Sequence, residues 1–182
     1  MFEIIQNIDA NLMIFIQNNL RSEFLNPIMI FFTTIGNTGA VWLIFGAVLM
    51  ITKKYRKIGL CVILSVSLCY VFNDMIIKQI VQRPRPFLSI EGLNTLVSRP
   101  GSYSFPSGHA CAGFASSYTL TKMFGKKGAA AYILAVIIAF SRPYVGVHYV
   151  SDILVGAIVG TVGSIFLNAV LFPKFNKSDE KQ

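Results

Sequence analysis

The chain is 182 residues long, 54% hydrophobic and only 13% charged, whereas a soluble domain carries about 25% charged residues. Its apolar residues fall in long blocks, which sets aside a soluble or disordered chain and predicts one all-α domain, a polytopic helical membrane bundle. The formal charge of +8 does not make it a nucleic-acid binder, because the cations sit between apolar blocks, as membrane topology and anion binding require.

Residues 2–20 place Ile4, Ile5, Ile8, Leu12, Phe15, Ile16 and Leu20 at helical spacing, with Glu3, Asp9, Asn and Gln opposite. This pattern predicts an interfacial amphipathic helix over about 1–24, lying on the membrane; the competing reading is a degenerate first span. Five spans are expected within a core of 27–172, at 27–51, 58–77, 107–124, 128–145 and 152–172. The first carries Thr33, Thr34, Gly36, Asn37, Thr38 and Gly39 at its middle. Such residues face neighbouring helices or line a headgroup cavity. Gly156 and Gly160 in the last form a helix-packing GxxxG. Cys61, Cys69 and Cys111 all lie in apolar stretches and read as buried hydrophobes, with neither disulfide nor zinc. The N-terminus lacks the flanks of a cleaved signal peptide, so the spans themselves are expected to hold the chain in the membrane.

Ten of the sixteen basic residues fall in segments 53–57, 122–127 and the tail 173–182. The positive-inside rule places these in the cytoplasm. The remaining six, Arg21, Lys78, Arg83, Arg85, Arg99 and Arg142, fall on the other side, where the long connection 79–106 also lies. Cations there need a reason other than topology. Three segments meet on that outer face: Lys78 with Arg85-Pro86; Pro106-Ser107-Gly108-His109; and Ser141-Arg142 followed by His148 and Asp152.

These residue types suit a phosphoryl group. Arginine presents paired donors to phosphate oxygens and lysine a point charge. Ser107 is placed to cap the third span, so that the N–H groups of Ser107, Gly108 and His109 face an anion at the positive end of the helix dipole. His148 and Asp152 are four apart and share a helix face. An imidazole oriented by a carboxylate serves as nucleophile or general base, and a second histidine, His109, can move the leaving-group proton. There is no carboxylate cluster for magnesium and no histidine pair at metal-ligand spacing, so neither a metal nor another cofactor is expected.

Lys-x6-Arg-Pro at 78–86, Pro-Ser-Gly-His at 106–109 and Ser-Arg-x5-His-x3-Asp at 141–152 resemble, in order and spacing, the three-part signature of the type 2 phosphatidic acid phosphatase superfamily. That superfamily includes bacterial undecaprenyl pyrophosphate and phosphatidylglycerophosphate phosphatases. The resemblance implies phosphate binding by Lys78, Arg85, Arg142, Ser107 and Gly108. It also implies His109 as general acid, His148 as nucleophile forming a phosphohistidine, and Asp152 as its orienter. The expected activity is metal-independent hydrolysis of a lipid mono- or pyrophosphate at the extracytoplasmic face of the cell membrane, with membrane lipid and substrate as the partners. A vanadate-dependent haloperoxidase and a catalytically silent lipid-binding or transport protein are the alternatives. Many relatives have six spans; here the amphipathic segment stands in place of one.

Other residues near the motifs read as support. Asp74 steadies Lys78 across one helical turn, Tyr144 and Tyr149 are expected as interfacial anchors, and Arg83 and Arg99 as contacts to lipid headgroups or phosphate. Tyr103 and Phe105 either line the entry or pack.

Overall fold

The computed structural model describes residues 2–179, with side chains from Glu3 to Leu171; Lys181 of the expected cytoplasmic tail lies outside them. The described residues are all-helical: α1 (Phe2–Phe15), α2 (Leu25–Ile35), α3 (Ala40–Ile51), α4 (Arg56–Cys69), α5 (Lys78–Val81), α6 (Pro86–Ser89), α7 (Gly108–Phe124), α8 (Lys126–Ala129), α9 (Ala131–Tyr144) and α10 (Val150–Asp179). A π-helical segment, Tyr70–Ile77, joins α4 to α5.

Small residues put α7 at the centre. Ala110, Cys111, Ala112, Gly113, Ala115, Ser116 and Ser117 are all buried, and their short side chains let α4, α9 and α10 approach closely. The GxxxG pattern serves this packing. A Cβ on Gly156 would stand 2.5 Å from the Ser107 carbonyl, and one on Gly160 would overlap the Cys111 carbonyl. Between α4, α7 and α10 the buried hydroxyls hydrogen-bond one another: Ser65 with Thr119 at 3.0 Å, Thr119 with Ser164 at 2.8 Å, and Asn168 to Thr119 at 3.0 Å. Trp42, Val62, Val66, Leu120, Ala135 and Ile138 fill the apolar core beside it.

The outer faces are apolar. Phe31, Ile44, Ile133, Leu154, Ile158 and Phe166 are each more than half exposed, which a bundle in water does not tolerate over so many helices. The stretches Lys53–Ser89 and Val150–Leu171 are long and apolar enough to cross a membrane. The expected first span is not one straight helix. Leu25–Ile35 and Asn37–Ile51 form a pair bent by 51°, because Thr38 and Gly39 take positive φ of 54° and 71° and end the α-helical ladder there.

Helix α1, with the residue that follows it, turns a mixed face inward. Asp9, Met13 and Ile16 are buried, while Ile4, Ile5, Ile8, Leu12 and Phe15 point away from the bundle. The cysteines are free and buried. Tyr55 packs edge-on against Phe124 at 5.5 Å. The basic turns 53–57 and 122–127 therefore sit together, at the helix ends remote from Gly108 and the motif residues.

Candidate active site

The π-helical segment sets the first cation. Wider turns at 70–77 bring Asp74 and Lys78 onto the face that meets α7. There Asp74 ion-pairs Lys78, and Asn73 donates to the Pro106 carbonyl at 3.2 Å. Such segments recur at functional sites. Past α5, Arg85 is anchored from both arms of its fork: Nε to the Ser102 carbonyl at 2.7 Å, Nη2 to Ser102 Oγ at 2.9 Å, and Nη1 to the Val147 carbonyl at 2.7 Å. Its Nη1 also meets His148 Nε2 at 3.2 Å. From the last turn of α9, Arg142 donates through Nη1 to Thr33 Oγ1.

The histidine tautomers follow from their partners, since a carboxylate or carbonyl oxygen can only accept. His148 donates from Nδ1 to Asp152 Oδ2 at 3.3 Å, which leaves Nε2 with its lone pair toward Arg85. His109 donates from Nε2 to the Thr33 carbonyl at 3.1 Å, with Asn37 Oδ1 at 3.2 Å. Burial pushes the His148 imidazole well below its usual range, and Arg85, Arg142 and Lys78 add to the shift. It is therefore neutral in the resting protein.

Lys78, Arg85, Gly108, His109, Arg142 and His148 line one cavity of about 500 Å³. Asp152 stands behind His148, fully buried. Its carboxylate accepts the Tyr149 N–H at 2.9 Å, Arg83 Nη1 at 2.7 Å and the Ser104 hydroxyl. Ser107 departs from expectation. It makes no side-chain cap on α7, its N–H donates to the Asp152 carbonyl at 3.0 Å, and so its amide does not face an anion. Its buried Oγ and Arg142 Nε have no hydrogen-bond partner among the described residues, as is also true of Trp42 Nε1, Ser116 Oγ and Ser117 Oγ in the core.

Two more expectations change, and one open alternative narrows. Arg83 is not a surface cation: it is buried and pairs with Asp152 and Asp9, and a lone buried partner of such a pair costs about 3–5 kcal/mol. Tyr144 and Tyr149 are core residues, 1% and 0% exposed. Tyr144 Oη donates to Asn26 Oδ1 at 2.9 Å because residues 20–26 fold back over the end of α9. Tyr103 and Phe105 do not line the cavity; Pro100 and Ser102 do. Asp74 does hold Lys78, and Arg99 lies over the Phe87 ring at 5.3 Å.

Gly36 is needed at the bend between α2 and α3. A Cβ there would lie 2.6 Å from Ile138 Cγ2 and 2.8 Å from His109 Cδ2. Gly36→Ala is expected to displace the His109 ring and lower kcat by about tenfold while leaving the fold, a loss of ~1.4 kcal/mol in transition-state stabilisation. Parallel turnover and thermal-melt measurements check this; unchanged kcat would count against it.

A helical membrane bundle that gathers three cations, two histidines and a buried carboxylate around one cavity is built to act on an anion. The chain belongs to the PAP2 superfamily, which matches residues 54–175, and it is a phosphatase. It is 33% identical to an undecaprenyl-diphosphatase of Sulfolobus acidocaldarius, over 86% of this chain and 76% of that protein. The crystal structure of Aquifex aeolicus LpxE superposes with a TM-score of 0.74 at 29% identity, covering 86% of this chain and 92% of that one. A transmembrane PAP2-type phosphatidylglycerolphosphate phosphatase from Bacillus subtilis gives 0.72 at 27% identity, covering 92% and 86%.

Proposed function

We propose that the chain hydrolyses a lipid mono- or pyrophosphate at the extracytoplasmic membrane face, through a phosphohistidine on His148. The observation that carries this reading is the single cavity shared by Lys78, Arg85, Arg142, His109 and His148. The three cations hold the phosphoryl oxygens, with Gly108 allowing close approach and Ser107 Oγ as a further donor. His148 Nε2 attacks phosphorus, the bond to the leaving oxygen breaks, and His109 gives that oxygen a proton. Water then attacks the phosphohistidine, His109 takes its proton, and inorganic phosphate leaves with His148 restored. Preorganised cations in a partly dry site supply the charge stabilisation, so turnover is expected without a metal.

The lipid reading rests on the cavity's other wall, where Val66, Cys69 and Ala112 are apolar and Tyr70 beside them opens outward. In this reading five crossings form the core. The outward apolar stripe of α1 lies in the membrane interface, and the adjoining basic turns 53–57 and 122–127 face the cytoplasm with the tail. Undecaprenyl pyrophosphate, phosphatidylglycerophosphate and phosphatidic acid are the candidate substrates. Purified protein in detergent is expected to release phosphate from at least one of them, equally with and without chelator, and to be inhibited by vanadate, which mimics pentacoordinate phosphorus. No release from any of the three, or release abolished by chelator, would overturn the proposal.

A further inference from the structure

The mechanism above uses His148, which is seated on Asp152, but leaves Arg83 and the whole of α1 without a role in it. Their contacts converge on the residues flanking the histidine. Arg83 Nη1 donates to Asp152 Oδ1 at 2.7 Å and to Ser151 Oγ at 2.8 Å; Nη2 donates to Asp9 Oδ2 at 2.8 Å and Gln6 Oε1 at 2.7 Å. The guanidinium lies over the Tyr149 ring at 3.8 Å, and Gln6 Nε2 donates to the Tyr149 hydroxyl at 3.1 Å. Asp9 also accepts the Ser151 N–H at 3.0 Å and the Ser151 hydroxyl. Tyr149 and Ser151 are thus held directly by α1, from roughly 140 residues away in the chain, and Asp152 is held through Arg83. Asp9, Arg83 and Asp152 form a buried carboxylate–guanidinium–carboxylate chain, at 2%, 7% and 0% exposure.

We infer that Arg83, braced by Asp9 of α1, is a positioning residue for the Asp152–His148 pair, and that docking of α1 completes the catalytic unit. Two consequences are built into the geometry. The guanidinium holds Asp152 Oδ1, while Oδ2 is shared by the Ser104 hydroxyl, the Tyr149 N–H and the His148 ring. It also divides its charge between two carboxylates, so Asp152 neither stands uncompensated beside the imidazole nor is fully neutralised. An exposed surface ion pair would do little of this; here water is excluded and a fork with both arms engaged fixes direction as well as charge. Because the opposite stripe of α1 is apolar and outward, the same helix ties the seat of His148 to whatever surface that stripe rests on. The inference rests on the proposed role of His148.

The sign of the effect is what separates positioning from general stability. Losing the Arg83 cation leaves Asp152 and Asp9 less compensated, so the Asp152–His148 pair binds a proton more readily. Losing the Asp9 charge leaves the guanidinium less compensated, which disfavours that proton. The other groups facing His148, namely Lys78 on α5, Arg85 before α6, His109 on α7 and Arg142 on α9, are the same in both variants. The chain has only two histidines, so protein labelled with [13C]histidine gives two ring signals, assigned with His109→Ala. In detergent, the His148 titration is expected at higher pH than wild type in Arg83→Gln and at lower pH in Asp9→Asn. Arg83→Lys, which keeps the charge but not the fork, is expected to stay near wild type. Turnover is expected to fall in all three at little-changed KM, by roughly 10- to 100-fold, the scale of one charge-assisted hydrogen bond. A His148 titration unmoved in both Arg83→Gln and Asp9→Asn, or moved the same way, would overturn the inference. Should Arg83→Gln fail to fold, the isosteric Asp9→Asn alone decides: a downward shift supports the inference and no shift overturns it. The titration needs no substrate, so absence of phosphate release from the wild type would sink the phosphatase mechanism and leave the titration to judge this network.

Discussion

His148→Ala is expected to reduce phosphate release by roughly 10⁴-fold or more, the scale on which a nucleophile's loss acts in a nucleophile, base and carboxylate system. The residual rate should come from the cations, which still bind and polarise the phosphoryl group in His148→Ala because Lys78, Arg85 and Arg142 each have anchors other than the imidazole. KM should therefore move far less than kcat. The same variant tests covalency. Wild-type protein quenched in base during turnover of 32P-labelled substrate should carry acid-labile label, and His148→Ala none. Label retained in that variant, or a loss confined to KM, would move the nucleophile elsewhere. The pH dependence follows from the same residue. Burial and three cations hold the imidazole well below its ordinary range, and in the proposed mechanism only the neutral ring can attack. So kcat/KM, which reports the free enzyme, should not fall on account of this ring as pH drops to about 6.5, the usual histidine value. It should be lost only as pH falls further through the depressed value. An acid limb centred near or above the ordinary value would contradict a neutral buried nucleophile.

The sequence was informative where chemistry leaves a local spacing. Lys78 and Arg85, Gly108 and His109, and Arg142 and His148 each lie within a few residues of one another, at the ends of apolar runs long enough to be helices. Bundling those runs brings all six to one cavity. It was silent where a role depends on what arrives from far along the chain. Asp9 is one acid in an amphipathic helix, and periodicity says that the helix has a polar side without saying what that side meets. Its partner Arg83 is 74 residues away. Arg83 itself, in a proline-rich connection beside a membrane, has the composition of a headgroup contact; only its position under Asp152 removes it from solvent. Tyr144 and Tyr149 have the look of interface anchors for the same reason, until residues 20–26 and α1 cover them. The bend at Gly36–Gly39 and the π-helical segment 70–77 escaped because hydropathy averaged over a run predicts a span but not its local winding. A cue was present in Asn37, Thr38 and Gly39, polar and small residues that a straight span has little reason to hold at its middle, and Asn37 now stands beside His109.

His109→Ala should separate the two histidines by the leaving group used. With a lipid alkoxide, which leaves poorly unless protonated, its loss is expected to cost about 10²–10⁴-fold in kcat, the range of general acid catalysis. An aryl phosphate with an acidic phenol needs no proton to leave, so the first step should then run close to the wild-type rate. Hydrolysis of the phosphohistidine still needs a base to draw the proton from water, and with His109 absent this step becomes slow. The variant should therefore release one equivalent of phenol per site in a burst and then stall with labelled protein, whereas the wild type turns over steadily. The ring's present hydrogen bond adds a condition. Its Nε2–H is engaged by the Thr33 carbonyl, so in the resting tautomer Nδ1 is bare, and the proton for the alkoxide comes either from the doubly protonated ring or after Nε2 turns from Thr33. Asn37→Ala removes the neighbouring acceptor but keeps the carbonyl, and should lower kcat only modestly. Equal losses for alkyl and aryl substrates in His109→Ala, with no burst, would mean that His109 binds phosphate and does not carry the proton.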